Sequence, residues 1–149
     1  MIYDGIKVFA YITQGTKLLV FTEQGFPEGG IQVPAGSPEG NETLEEAVLR
    51  EAREETGLEH FEVKRKLGET IFDNSIYNVD RIDRRVFFHL LCKQDTPERW
   101  THEEQDPSII LEDTPEHILF DFYWHDLSDN TLILQLGHDE YLDVLMHNL

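Results

Sequence analysis

Arg50, Glu51, Glu54 and Glu55 fall within a single stretch whose composition reads as helix. A helix brings positions i, i+3 and i+4 onto one side, so the three glutamates converge on one patch and Arg50 stands one turn before Glu54. Carboxylates this close repel, at roughly 4 kcal/mol per pair for a separation of about 4 Å near a protein surface. A hard divalent cation such as Mg²⁺ or Mn²⁺ removes that repulsion. It takes oxygen ligands and leaves waters and substrate phosphates in the rest of its shell. The chemistry such a patch suits is metal-assisted attack on a phosphate-bearing ligand.

The elements around the patch follow from pattern and punctuation. Thr43 with Glu46 three residues later is a capping-box signature, so the helix starts near Leu44. Leu44, Val48 and Ala52 give it an apolar stripe, and Gly57 supplies the stop, which bounds the helix at about 44–56. Ahead of it, residues 6–13 alternate as a strand and 17–23 follow as a second after a Gln14-Gly15 turn, 25–30 read as a loop, and 31–33 as a short extended piece ending at Pro34. Behind it, 62–72 reads as a strand, a polar connection runs through Asn74 and Asp80, and 86–91 reads as a central strand. Residues 94–116 are rich in acid and read as a loop that holds Glu98, Glu103 and Glu104. Ile118, Phe120, Phe122 and Trp124 alternate with Leu119, Asp121 and Tyr123 as one more strand, and about 139–147 reads as a short terminal helix. The expectation is one α/β domain over 1–149, a mixed sheet with helices on its faces.

Gly36, Glu42, Arg50, Glu51, Ala52, Glu54, Glu55, Gly57 and Leu58 resemble the Nudix box at each defining position. The pattern is Gly, five residues, Glu, seven residues, Arg-Glu, an aliphatic, any residue, Glu-Glu, any residue, Gly, an aliphatic, here without insertion. A solvated helix with Glu and Arg paired at i,i+4 accounts for the acidic residues alone, but not for Gly36, Glu42 and Gly57 at these distances. The resemblance implies a Nudix-type α/β/α sandwich. It also implies hydrolysis of the pyrophosphate bond of a nucleoside diphosphate linked to another group, with Mg²⁺ or Mn²⁺ as cofactor. On that reading Glu51, Glu54 and Glu55 are metal ligands together with the Gly36 carbonyl. Glu51 is the general base, Arg50 holds the carboxylates, and Glu42 and Gly57 support the motif. Glu98, Glu103 and Glu104 are the alternative source of a further ligand or base. A nucleotide-sensing domain that keeps the fold without turnover is the competing reading; such domains are expected to lose carboxylates, and this chain keeps all three.

The leaving group is not assigned. Pro34-Ala35-Gly36 is similar to the approach in ADP-ribose pyrophosphatases, yet no proline stands between Pro38 and Pro97, and Tyr77 lies slightly beyond the place where diadenosine polyphosphate hydrolases carry a tyrosine.

The formal net charge of −18, from 12 basic and 30 acidic residues, argues against a polymeric nucleic acid or an anionic membrane as partner and leaves a small phosphorylated nucleotide. Cys92 is the only cysteine and no apolar run is long enough for a membrane span, so a cytoplasmic location is expected. The seven histidines lack zinc spacing; His89 and His125 read as strand residues and Cys92 as a packing residue. Among the aromatics, Trp124 reads as core, whereas Trp100, Phe26 and Tyr77 are open to stacking on a base.

Overall fold

The computed structural model describes residues 2–103, 118–129 and 131–149. Strands β1 (Gly5–Gln14), β2 (Lys17–Glu23) and β3 (Ala35–Gly36) lead to helix α1 (Leu44–Thr56). Then come β4 (Phe61–Asp73), β5 (Ile82–Cys92), β6 (Arg99–Glu103), β7 (Leu119–Asp126) and α2 (Leu142–His147). The sheet order is β4-β5-β1-β2-β7-β6, with β3 added against β1. Among the described residues only β1 and β5 run parallel and every other pair is antiparallel, so the sheet is mixed as the sequence predicts.

Alternation along the strands divides the interior between the two faces of the sheet. Val8, Ala10 and Ile12 of β1 join Val86, Phe88 and Leu90 of β5 and Ala47, Val48 and Ala52 of α1 on one face. Phe9 and Tyr11 join Phe87, Val33 and Leu145 of α2 on the other. A helix therefore covers each face, the α/β/α arrangement expected. No helix among the described residues is long and apolar enough to cross a membrane.

The hairpin β1–β2 is in register only near its turn, at Thr13 with Leu18 and Gln14 with Lys17. Below that the strands part and the chain from Gln32 to Gly36 fills the gap. Gln32 exchanges both backbone hydrogen bonds with Phe21 at 2.9 Å, and Ala10 N–H donates to the Pro34 carbonyl at 2.9 Å. β3 then pairs Ala35 with Phe9 and Gly36 with Val8. This insertion carries the glycine loop into the sheet and aims it at α1.

Helix α1 begins where the sequence places it. The Thr43 hydroxyl accepts from Glu46 N–H at 3.1 Å, and the Glu46 carboxylate accepts from Thr43 N–H at 2.9 Å. Such a cap is worth about 1 kcal/mol. The helix ends at Gly57, whose φ of 78° is left-handed and whose N–H reaches the Arg53 carbonyl. A Cβ at Gly57 would lie 2.7 Å from His102 Nδ1. Gly57→Ala is thus expected to cost about 1–2 kcal/mol from backbone handedness, with the His102 contact adding to it. Urea unfolding measures it, and a change within error of zero contradicts the cap geometry.

One element departs from the sequence reading. Residues 99–103, expected inside the acid-rich loop, form β6 along β7, with Trp100 opposite Phe122 and Glu103 opposite Leu119. The physical reason is a short alternation that the flanking acids obscure. Trp100 stacks on Phe122 at 5.4 Å and donates its Nε1–H to the Thr56 carbonyl at 2.9 Å, which fastens the strand to the end of α1. Trp100 is thereby a packing residue against the core. The terminal helix is shorter than 139–147, beginning at Leu142 after the turn through Tyr141.

Candidate active site

Arg50 organises the box. Its Nε donates to Glu42 Oε2 at 2.8 Å and its Nη2 to Glu42 Oε1 at 3.0 Å, a bidentate fork. Nη1 is shared between Glu51 Oε1 at 2.9 Å and Glu54 Oε2 at 3.1 Å, and Nη2 also reaches the Ser37 carbonyl at 2.9 Å. One guanidinium therefore ties the glycine loop, Glu42 and two turns of α1 together. Its charge is held more firmly than usual, chiefly by the Glu42 hydrogen bonds. The same bonds, with the Glu39 N–H as second cause, hold the Glu42 carboxyl below the usual carboxylate range.

Glu51 and Glu55 are four apart and point from α1 toward β3. Both are buried, 8% and 5% exposed, which is rare for glutamate and marks them off from the solvated acids elsewhere in the chain. Glu55 Oε2 accepts from Ala35 N–H at 2.8 Å. The Glu51 carboxylate lies against Gly36 where a side chain would stand, so any Cβ there would overlap it. That contact is the local reason for glycine at 36. Gly57 caps the helix that carries the whole set.

These donors match a hard divalent cation in kind, since Glu51, Glu54, Glu55 and the Gly36 carbonyl all offer oxygen. Their arrangement is less complete. Among the described residues no three His, Cys, Asp or Glu side chains surround one point. Glu54 leans to Arg50 and Glu55 to Ala35, so a cation has to draw them together.

Glu98 is exposed just ahead of β6, Glu103 ends β6, and Glu104 lies outside the described residues. His89 sits in β5, its Nε2 hydrogen-bonded with Thr13 Oγ1 at 2.7 Å, and His125 sits in β7, its Nε2 within 2.9 Å of the Asp129 carbonyl. Cys92 is buried, and burial pushes its thiol up, which suits packing rather than nucleophilic chemistry. Tyr77 stacks on Phe72 at 6.1 Å. Sequence reasoning passed over Lys7, Arg85 and His138, which the fold gathers beside β3 on the face away from α1. The available signal was a cation at each of two strand positions next to apolar runs, Lys7 before Val8-Phe9-Ala10 and Arg85 before Val86-Phe87-Phe88.

The solved structures that this fold resembles include a UDP-X diphosphatase, with TM-score 0.64 and 19% identity over 99% of this chain. The chain spans 63% of that protein's length. An ADP-ribose pyrophosphatase from Streptococcus suis matches with TM-score 0.60 and 22% identity, covering 97% of this chain and 90% of that one. The NUDIX domain of Shewanella oneidensis NrtR, solved in complex with ADP ribose, matches with TM-score 0.66 and 18% identity, covering 99% and 90%. None of the curated proteins matches the chain. The NUDIX domain family model matches residues 4–145, nearly the whole sequence and the entire sheet with its box helix, and on that ground the chain belongs to the Nudix hydrolase family.

Proposed function

We propose that the chain hydrolyses the phosphoanhydride bond of a nucleoside diphosphate linked to a second group, releasing a nucleotide and a phosphate-bearing product. The observation that supports this most is the buried pair Glu51 and Glu55 set against β3, with Arg50 tying Glu51 to Glu54. Glu51, Glu54, Glu55 and the Gly36 carbonyl hold Mg²⁺ or Mn²⁺. When bound, that ion supplies neutralisation of phosphate oxygens and a lowered pKa for water. Glu51 takes the proton of the attacking water as a new P–O bond forms and the bridging P–O bond breaks. Arg50 keeps the Glu51 carboxylate oriented, and Glu42 fixes Arg50. Glu98, Glu103 or Glu104 is the alternative source of a base or further ligand, and Gly57 keeps the end of α1 in place.

The likeness to proteins named for UDP-X, ADP-ribose pyrophosphate hydrolysis and ADP-ribose binding supports a small nucleotide-type substrate. The excess of 30 acidic over 12 basic residues disfavours a polymeric nucleic acid. A reduced Cys92 and a small nucleotide substrate suit the cytoplasm. A second reading, nucleotide binding without turnover, is favoured by one observation: no three carboxylates already surround one point among the described residues.

A panel of nucleotide sugars, dinucleotides, nucleoside triphosphates and dinucleoside polyphosphates, each with Mg²⁺ or Mn²⁺, separates the two readings. The expected outcome is metal-dependent release of a nucleoside monophosphate from at least one class. Binding of a panel member by calorimetry, with no product from any, establishes the second reading instead.

A further inference from the structure

Lys7 and Arg85 are register partners in the parallel pair β1–β5, so their side chains leave the same face of the sheet side by side. Like charges in that position repel. Among the described residues neither makes an ion pair. Arg85 is 4% exposed; its Nη1 donates to the Leu136 carbonyl at 2.7 Å, and its buried Nε has no acceptor. Its guanidinium lies 3.6 Å from the Phe72 ring centroid and 5.1 Å from that of Phe9. Lys7 Nζ stands 5.8 Å from the same Phe9 centroid.

His138 completes the group. It is 3% exposed and meets Phe9 edge-on at 5.0 Å. Its Nδ1 accepts from Val33 N–H at 3.0 Å, so the neutral ring carries its proton on Nε2. Burial, then Lys7 and Arg85, pushes His138 well below the usual histidine range, which keeps the ring neutral. No acceptor meets that Nε2–H among the described residues. Three nitrogen donors thus surround one aromatic ring, two of them charged and neither in an ion pair among the described residues; carboxylates act on them only from farther off, Glu55 and Asp83 on Lys7, and Asp83 and Glu140 on Arg85.

Buried cations without a directly paired carboxylate, and a buried guanidinium N–H without an acceptor, are costly, and a bound anion offsets that cost. In a chain of net charge −18, a local cationic group is also what an anionic ligand needs in order to approach. The group stands next to the box: Val8 pairs with Gly36 and Phe9 with Ala35, so Lys7 is one residue along from the strand that Glu51 and Glu55 touch.

We propose that Lys7, Arg85 and His138 form a phosphate subsite that holds one phosphate of the substrate across β3 from the Glu51–Glu55 carboxylates. This assignment rests on the proposed hydrolysis only for the identity of the anion as substrate. The donor set selects a phosphate oxyanion, with Lys7 and Arg85 matching its charge and His138 Nε2 donating one hydrogen bond.

The test uses inorganic pyrophosphate and the full chain in EDTA, so that no metal or turnover enters. Calorimetry on the wild type is expected to show binding, and Lys7→Met, which keeps the packing on Phe9, to weaken it about tenfold or more. In the wild type, pyrophosphate is expected to protect Lys7 from acylation by acetic anhydride, read by mass spectrometry; this arm stands even if Lys7→Met fails to fold. With a hydrolysed substrate, Lys7→Met is expected to raise KM about tenfold with kcat within about twofold, a split that a packing role does not produce. Unprotected Lys7 in the wild type, or equal pyrophosphate affinity in a folded Lys7→Met, overturns the subsite. Because binding is read without metal, loss of this subsite and loss of the proposed hydrolysis are separable results.

Discussion

Glu51→Gln lowers turnover by about 10²–10⁴-fold while leaving the fold intact and KM within a few fold. The substitution is nearly isosteric, and the amide oxygen still accepts from Arg50 Nη1, which lies 2.9 Å from Glu51 Oε1. The packing against Gly36 is also kept, because the new side chain has the same length. What disappears is the ability to take a proton, together with one carboxylate charge offered to the cation, a loss that saturating Mg²⁺ offsets. Steady-state kinetics at saturating Mg²⁺ separates the cases: a loss confined to KM sends the base assignment to Glu98, Glu103 or Glu104. Glu54→Gln and Glu55→Gln are expected to lower turnover through the cation, so part of their loss returns at high metal concentration. Wild-type rates in both variants rule out the metal assignment.

The box and its helix were legible because their signals are local. The reciprocal hydrogen bonds of Thr43 and Glu46 involve residues three apart, and Gly57 stops the helix by its own backbone freedom. β1, β2, β4, β5 and β7 were legible because each is seven residues or longer and carries an alternation or, as in β5, a continuous apolar run. β6 was hidden because a five-residue strand gives too little periodicity to stand out among acidic neighbours. β3 is two residues long, and only the parting of β1 and β2 gives it a partner. The Lys7–Arg85–His138 group was not legible at all. Its members come from β1, β5 and the turn before α2, and nothing short of the strand register brings them together. The same limit applies to the box: spacing placed the glutamates on one helix, whereas the choice of Glu54 for Arg50 and Glu55 for Ala35 is tertiary.

Arg50→Met tests whether the box carboxylates are a cation site held in readiness by a guanidinium. Arg50 makes hydrogen bonds to Glu42, Glu51, Glu54 and the Ser37 carbonyl, and its side chain is 19% exposed. Methionine keeps the aliphatic bulk and leaves three carboxylates facing one another without a counter-charge. Activity is expected to fall about 10–100-fold, the range for losing a partner that orients ligands, and the thermal midpoint to drop. The pH dependence has a definite sign. Because the Glu42 carboxyl is held below its ordinary value in the fold, its contribution is present above its unfolded pKa and is lost as pH falls through the folded pKa. Arg50 is the first cause of that depression, so wild type and variant should differ most near neutrality and converge in acid. Melting curves between about pH 7 and pH 3 read this convergence. Mg²⁺ supplies the decisive comparison, since an ion that binds the same carboxylates replaces the missing positive charge. The variant should then gain more in thermal midpoint from Mg²⁺ than the wild type does. Equal gains would mean that the cation settles elsewhere, and that Arg50 serves α1 and its loop alone.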